Sequence, residues 1–427
     1  MPDIRIKNFT NTATAANTSL TNAWFAVDKE SPDRTERMNA DQMFGLDETK
    51  IPFKNQNCIF VNAKGTGSQN FTKFQEAVIF ANAATPNGLA KSDTNRFVIY
   101  LFAGQCVETV LTASITINAW IDIIGIGDPQ DIVISSNSAT SVLNIPIFTG
   151  QIGQKNTNIF KNFTVENLNI TPLLSFSWAG IFDQSIMENL IIKGFFQENI
   201  NYQGVYRNLN CKVDLVLNGN ISGLVENCTF KNNSCGYSTT ADVYCLGIIK
   251  NNTGLDNCFG STWNGFNCAV GGLQENNKGN NKCFGYSDGG TVTTFGGGLL
   301  MDNNTGLSYC FFSTSGPQTK ANDGIIQNCT ATTNSFGDTT AVGRLINCKR
   351  TGAYGVHAGF IEKCDFIGNL TILANATVRR CDIDQGQIIA TSVINAKIYL
   401  CSLDNPVDPI NITNVIPTPY NVVSNLI

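Results

Sequence analysis

Histidine is almost missing from this chain: His357 stands alone among 427 residues. Charge is scarce as well, at 14% Asp, Glu, Lys and Arg, where ordinary soluble domains carry about 25%. No Lys/Arg cluster occurs in the sequence and the net charge is −5, which argues against the basic face that nucleic-acid binding needs. No apolar run reaches 18 residues, so no segment is expected to span a membrane. The opening Met1-Pro2-Asp3-Ile4-Arg5 lacks the continuous apolar stretch of a secretory signal. No C-x-x-C pair exists among the fifteen cysteines, so with a single histidine neither a metal centre nor a cofactor is expected. The cysteine count is odd and the chain long, which points to buried thiols made in a reducing cytoplasm rather than to a disulfide framework.

What the chain has instead is a recurring phrase. It reads Glu226-Asn227-Cys228-Thr229-Phe230, Gln327-Asn328-Cys329-Thr330-Ala331, Ile346-Asn347-Cys348-Lys349, Glu362-Lys363-Cys364-Asp365-Phe366 and Arg380-Cys381-Asp382-Ile383. With Cys258, Cys283, Cys310 and Cys401 included, successive cysteines are separated by 30, 25, 27, 19, 19, 16, 17 and 20 residues. Leucine takes the same slot earlier, at Leu168, Leu190 and Leu209. That exchange identifies the slot as an apolar position facing a core. A strand-like phrase returning about every 20 residues is the mark of a β-solenoid. The expected fold is therefore all-β, a right-handed parallel β-helix.

Three regions follow. Residues 1–57 stand outside the repeat and read as a short N-terminal anchor segment, with a strand Trp24-Phe25-Ala26-Val27-Asp28 and a short helix over 35–45 stopped by Gly45. Residues 58–403 form the β-helix. Near 71–83 a helix is expected from Phe71, Phe74, Val78 and Ala81 on one face, with Thr72 and Gln75 as a capping box. Such a helix would close the open first coil. The Gly/Asn-rich text of 230–325 suggests loops budding from the coils, and the prolines of 404–427 suggest a C-terminal tail.

The stretch after residue 58 resembles the start of the pectate-lyase and pectin-methylesterase superfamily of right-handed parallel β-helices. The matching features are Gly65-Thr66-Gly67, the Phe-x-x-x-Gln-x-Ala pattern anticipated over 71–77, the strand and glycine of 98–104, Cys106-Val107-Glu108-Thr109-Val110 and Ile124-Gly125-Ile126-Gly127. The resemblance implies the fold and no activity. Phe336-Gly337-Asp338 with Gly343-Arg344 is only a faint echo of the esterase phrases, and no catalytic role passes to Asp338 or Arg344. Trp24-Phe25-Ala26-Val27-Asp28, Thr35-x-Arg37 and Asn39-Ala40-Asp41-Gln42-Met43 look like the leader of tail-fibre and tailspike subunits of bacterial viruses. This second resemblance implies a virion anchor ahead of a rigid rod, commonly a homotrimer. Its docking residues would be Trp24, Phe25, Val27, Asp28, Arg37, Met38, Met43 and Phe44.

Chemistry on such a rod would sit on an outer face. If the repeat cysteine points in, the next residue points out, giving an outward column of Thr229, Phe259, Phe284, Phe311, Thr330, Lys349, Asp365, Asp382 and Ser402. Asp365 and Asp382 would then be neighbours about 5 Å apart, with Asp384 two residues on. Carboxylates at that distance could act as a retaining glycosidase pair; alternatively Lys349 neutralises Asp365 in a solvated ladder. Phe259, Phe284 and Phe311 would form an external apolar stripe. His357 sits in glycine-rich text with no nucleophile elbow nearby.

The leading expectation is a structural virion appendage, a tail or head fibre or spike subunit assembled in a host cytoplasm. It would dock to other virion proteins through 1–57, form a homo-oligomer and present the β-helix to a host surface glycan. The main alternative is a tailspike depolymerase or esterase acting on host polysaccharide through Asp365, Asp382 and Asp384. A secreted adhesin is disfavoured by the missing signal.

Overall fold

The computed structural model describes residues 24–28, 35–39 and 410–412, and those from 57 to 403 except 63–69, 109–114, 137–147, 151–157, 168–177, 180–184, 194–199, 215, 218, 295–298, 315–319, 322–323, 337–342, 353–355, 358, 373–374 and 391–396. One sheet runs the length of the body. Its sixteen strands include Cys58–Val61, Phe97–Leu101, Ile121–Gly125, Ile159–Lys161 and so on to Lys397–Tyr399, every neighbouring pair parallel. Stacked at about 4.8 Å per rung, they make a rod on the order of 70 Å long. A second ladder starts with Gly104–Glu108 and Ile132–Ser136 and reaches Asn210–Cys211. It continues as single bridges through Thr229, Thr253, Lys278 and Thr305 to Thr330, then widens again as far as Ser402–Leu403. Shorter parallel sheets close the remaining sides. This is a parallel β-helix, wound in the right-handed sense that parallel crossovers take.

Alternation explains the long sheet. In Leu224–Glu226 and its neighbours the middle residue is buried and the outer two are not, as a period of two requires. The outer positions carry two columns. One is aliphatic: Ile159, Ile186, Val205, Leu224, Ile248, Leu273, Leu300 and Ile325 lie in register. Beside it the signs of charge alternate: Lys161 pairs with Glu188 at 3.0 Å, and Glu226 with Arg207 at 3.1 Å and Lys250 at 2.9 Å. Each strand then turns through a residue with positive φ: Asn162, Asn189, Asn208, Asn227, Asn251, Asn276, Asn303, Asn328 and Asn347 occupy this corner in turn. Asparagine is the non-glycine residue that best tolerates the left-handed region. The richness in asparagine is a consequence.

Here the sequence reading needs correction. The nine cysteines do not share one slot. Thr229 pairs with Thr253, then Lys278, then Thr305 and Thr330, so the position of Cys228 is taken on the next three rungs by Asn252, Asn277 and Asn304. These asparagines are buried and form a ladder. The Cys228 amide donates to Asn252 Oδ1 at 2.8 Å, the Asn252 amide to Asn277 Oδ1 at 3.0 Å, and the Asn277 amide to Asn304 Oδ1 at 2.8 Å. Cys258, Cys283 and Cys310 belong to a second corner, between left-handed Asn257 and Phe259, Lys282 and Phe284, and Tyr309 and Phe311. The phenylalanines after them turn inward. Phe259, Phe284, Phe311 and Phe336 are buried and stack at 5.2, 4.8 and 4.9 Å between centroids. No external aromatic stripe forms from them. The longer steps between 228 and 329 also carry an extra sheet, Tyr237–Ser238, Ser261–Thr262, Tyr286–Ser287 and Ser313–Thr314.

The helix appears as Phe74–Ala83, with Phe74, Ala77, Val78 and Ala81 buried against the first strands. Its N-cap is Lys73, and no side chain caps it, so the Thr72/Gln75 box does not form. Thr35–Asn39 is a strand rather than the start of a helix; it pairs antiparallel with Trp24–Asp28. The two strands complete each other's backbone hydrogen bonds, which outweighs the weak helix preference of so short a stretch.

No disulfide joins the fifteen cysteines, and all but the half-buried Cys58 are buried. Burial pushes the thiols of Cys228, Cys245, Cys258 and Cys329 from 9.0 up to about 12. A group whose pKa is raised on folding stabilises the fold below its unfolded value and loses that contribution as pH climbs toward the folded one. The melting temperature should therefore hold to about pH 9 and fall steeply above it. At pH 8 a thiol reagent should label Cys58 quickly and the other fourteen only after unfolding. Rapid native labelling of Cys283 or Cys364 would contradict this packing.

Candidate functional site

The second ladder does bring the expected carboxylates together. Lys349, Asp365, Asp382 and Ser402 are consecutive partners, and Asp384 pairs with Ile367 one column over. Lys349 Nζ lies 2.7 Å from Asp365 Oδ2. The Asp365 hydrogen bond, and then its charge, hold the Lys349 ammonium above its usual value. Asp382 is exposed and Asp365 half-buried. A retaining pair needs one carboxyl kept protonated by an apolar surround. These two face solvent, and one already carries a counter-ion. Beside them, Arg350 turns inward and is fully buried. It donates to the Asn369 carbonyl at 3.0 Å and lies over the Phe366 ring at 4.8 Å. Burial lowers its pKa to about 10, while Nε and Nη1 have no hydrogen-bond partner.

His357 lies in the strand Val356–His357. Asp338 is outside the described residues. Arg344 is on the outer face of the long sheet, its guanidinium 5.3 Å from the Phe360 ring centre. Among the described residues no group of three or more His, Cys, Asp or Glu is placed to hold a metal ion, and no helix is long and apolar enough to cross a membrane.

At the N-terminus, the hairpin sets Trp24 opposite Asn39, Phe25 opposite Met38, Ala26 opposite Arg37, Val27 opposite Glu36 and Asp28 opposite Thr35. It forms a two-stranded sheet separate from every solenoid sheet. Met43 and Phe44 lie outside the described residues.

What the sequence did not disclose is a concentration of cations on the last rungs of the long sheet. Arg344, Phe360, Thr377 and Lys397 form one column; Ile346, Glu362, Arg379 and Tyr399 form the next. Asn347, Lys363, Arg380 and Leu400 follow at the left-handed corner. Within any one coil there is a single such charge or, at Arg379 and Arg380, a neighbouring pair. Only stacking assembles them.

The fold and the ladders define a parallel β-helix protein. No protein-family profile matches the chain, and no curated protein does. Solved structures similar to it include the catalytic domain of a GH87 α-1,3-glucanase D1069A variant in complex with tetrasaccharides, at 14% identity and a TM-score of 0.38, covering 86% of this chain and 69% of that one. The A-module of the Azotobacter vinelandii mannuronan C-5 epimerase AlgE6 matches at 12% identity and 0.28, covering 81% and 94%. A thermostable GH87 α-1,3-glucanase catalytic unit from Streptomyces thermodiastaticus matches at 12% and 0.25, covering 80% and 64%. Similarity at this level carries no activity across.

Proposed function

We propose that this chain is a structural subunit of a virus particle's host-attachment apparatus, docked by its N-terminal hairpin and presenting the β-helix outward. The observation that carries the reading is the division of labour within the chain. An antiparallel pair of strands, 24–28 with 35–39, stands outside the solenoid sheets, and the parallel body begins at 58. The hairpin holds the phrase that resembles tail-fibre leaders. On this reading Trp24, Phe25, Val27, Asp28, Arg37, Met38, Met43 and Phe44 meet other virion proteins, the rod assembles as a homotrimer, and its flank contacts a host surface glycan.

A second reading, a depolymerase or esterase acting on surface polysaccharide, draws on the in-register carboxylates Asp365 and Asp382. The Lys349–Asp365 ion pair and the exposure of Asp382 weigh against it.

Deletion of residues 1–57 should leave a rod with unchanged circular dichroism that no longer joins particles; rods that still incorporate would remove the anchor. Incubation with host surface polysaccharide should release no reducing ends, unsaturated sugars or acetate. Release abolished by Asp365→Asn or Asp382→Asn would establish the enzyme instead.

A further inference from the structure

From Lys161 to Lys250 the outer charged column of the long sheet matches each cation with a carboxylate; on the last rungs it does not. Lys161 is matched by Glu188, and Arg207 and Lys250 share Glu226. On the last four rungs Arg344, Lys363, Arg379, Arg380 and Lys397 occupy three adjacent columns with one carboxylate, Glu362. Glu362 is held by Arg379 at 2.8 Å with its side chain only 10% exposed. Among the described residues Arg344, Lys363, Arg380 and Lys397 have no carboxylate within ion-pair distance. In a chain of net charge −5, five cations gathered at one sheet edge and its corner around the single carboxylate of Glu362, which Lys363 and Arg380 feel as well as Arg379, carry a cost in mutual repulsion. They are held there by strand register and by a corner that elsewhere takes asparagine.

The arrangement is also ordered. Arg344 and Arg379 lie over the Phe360 ring at 5.3 and 4.9 Å. Stacking of this kind fixes a guanidinium plane; it leaves the edge donors of Arg344 available, while Arg379 already gives Nη2 to Glu362 Oε1. Arg379 and Arg380, with Thr377 and the 45% exposed Leu400, line an open hollow of about 340 Å³. A hollow with the free Arg380 fork beside the Arg379–Glu362 pair, a hydroxyl and an apolar floor matches a carboxylate-bearing sugar ring: the Arg380 fork takes the carboxylate bidentately, and Leu400 meets the ring's C–H face. Each of the four rungs carries a cation, in one of three columns, so positive charge advances along the axis by about 4.8 Å per rung and faces a linear polymer that repeats its charge at a similar interval. Duplex nucleic acid demands a far broader basic face.

We infer that the Arg344–Arg379–Arg380 face, with Lys363 and Lys397, is a binding site for an acidic polysaccharide bearing a carboxylate on each sugar. The inference rests on the attachment reading above and gives it a ligand class.

The corner column supplies a clean test. Lys363 and Arg380 have φ of 55° and 53°, and asparagine occupies the same position on nine earlier rungs, so K363N/R380N keeps the local fold. The full chain should bind polygalacturonate and not neutral dextran, with affinity that weakens between 50 and 200 mM salt as screening grows. K363N/R380N should lose at least tenfold in affinity with an unchanged melting temperature, and R344Q/K397Q should lose several-fold. Equal binding to dextran, undiminished binding by K363N/R380N, or tighter binding of duplex DNA than of polygalacturonate would each overturn the assignment. If the wild-type chain ignores polygalacturonate while particles carrying it still adsorb to cells, the site fails and the appendage reading stands. Incorporation without residues 1–57 has the opposite meaning.

Discussion

Asn277→Leu should destabilise the rod by about 3 kcal/mol, although leucine fills the equivalent slot at Leu190 and Leu209. Asn277 Oδ1 accepts from the Asn252 amide, and Asn277 Nδ2 donates to the Ile249 carbonyl at 2.8 Å and to Asn304 Oδ1 at 3.0 Å. All three asparagines are buried. Leucine leaves a buried donor and a buried acceptor without partners, at roughly 1–3 kcal/mol each, and returns only part of that by burying more apolar surface. Cys348→Ala, in the same slot on a rung outside the asparagine ladder, should cost about 1 kcal/mol, since it removes only a small side chain whose thiol makes weak contacts to the Ile326 and Ile346 carbonyls at 3.4 Å. The measurements are urea midpoints and the exchange rate of the Asn252 amide, which should rise on the order of 100-fold in the leucine variant. Equal midpoints for the two variants would mean that the ladder contributes nothing beyond packing.

Gly247→Val should fail to give soluble protein. A Cβ at Gly247 would lie 2.1 Å from the carbonyl oxygen of Gly223, and the same collision recurs along the column, 2.1 Å from Gly204 for Gly223 and 2.3 Å from Gly247 for Gly272. The obstacle is backbone, so no rotamer change relieves it. Two rungs would have to part, breaking the Ile248 amide bond to the Gly223 carbonyl at 2.9 Å. A loss of about 4 kcal/mol or more is expected. Gly265 is the control. Its φ is +83° and nothing lies within 4 Å of its Cβ position, so Gly265→Asn should change the unfolding midpoint little. A soluble, trypsin-resistant Gly247→Val would show that the rungs are not in this close contact.

The winding of the chain was legible because it depends on local chemistry. The phrase around Cys348, Cys364 and Cys381 places a strand end, a left-handed corner and an apolar side chain in fixed order, and the rungs there stack in the expected register. The Lys349–Asp365 contact could be read off for the same reason. In the middle of the rod that logic misled. Asn-Cys-Thr at 227–229 and Asn-Cys-Phe at 257–259 look alike as text, yet they sit at different corners. Both corners need a left-handed residue followed by a small buried one, so similarity of phrase does not imply equivalence of place. The three asparagines that do occupy the slot look polar, and nothing in one coil reveals that each is bonded to an asparagine of a neighbouring coil.

By itself, then, the sequence determined that the backbone coils, where its turns and strands alternate, and that its cysteines are buried. Those properties follow from side-chain size, polarity and backbone preference within a few neighbouring residues. Only the tertiary structure decided which residues lie above one another: the asparagine ladder, the inward phenylalanine stack and the cluster of Arg344, Lys363, Arg379, Arg380 and Lys397. Vertical neighbours are separated by up to 40 residues of chain, as Cys58 and Val98 are, and each coil's length shifts the partner of everything after it. The adjacency is set by strand register, which no single coil contains.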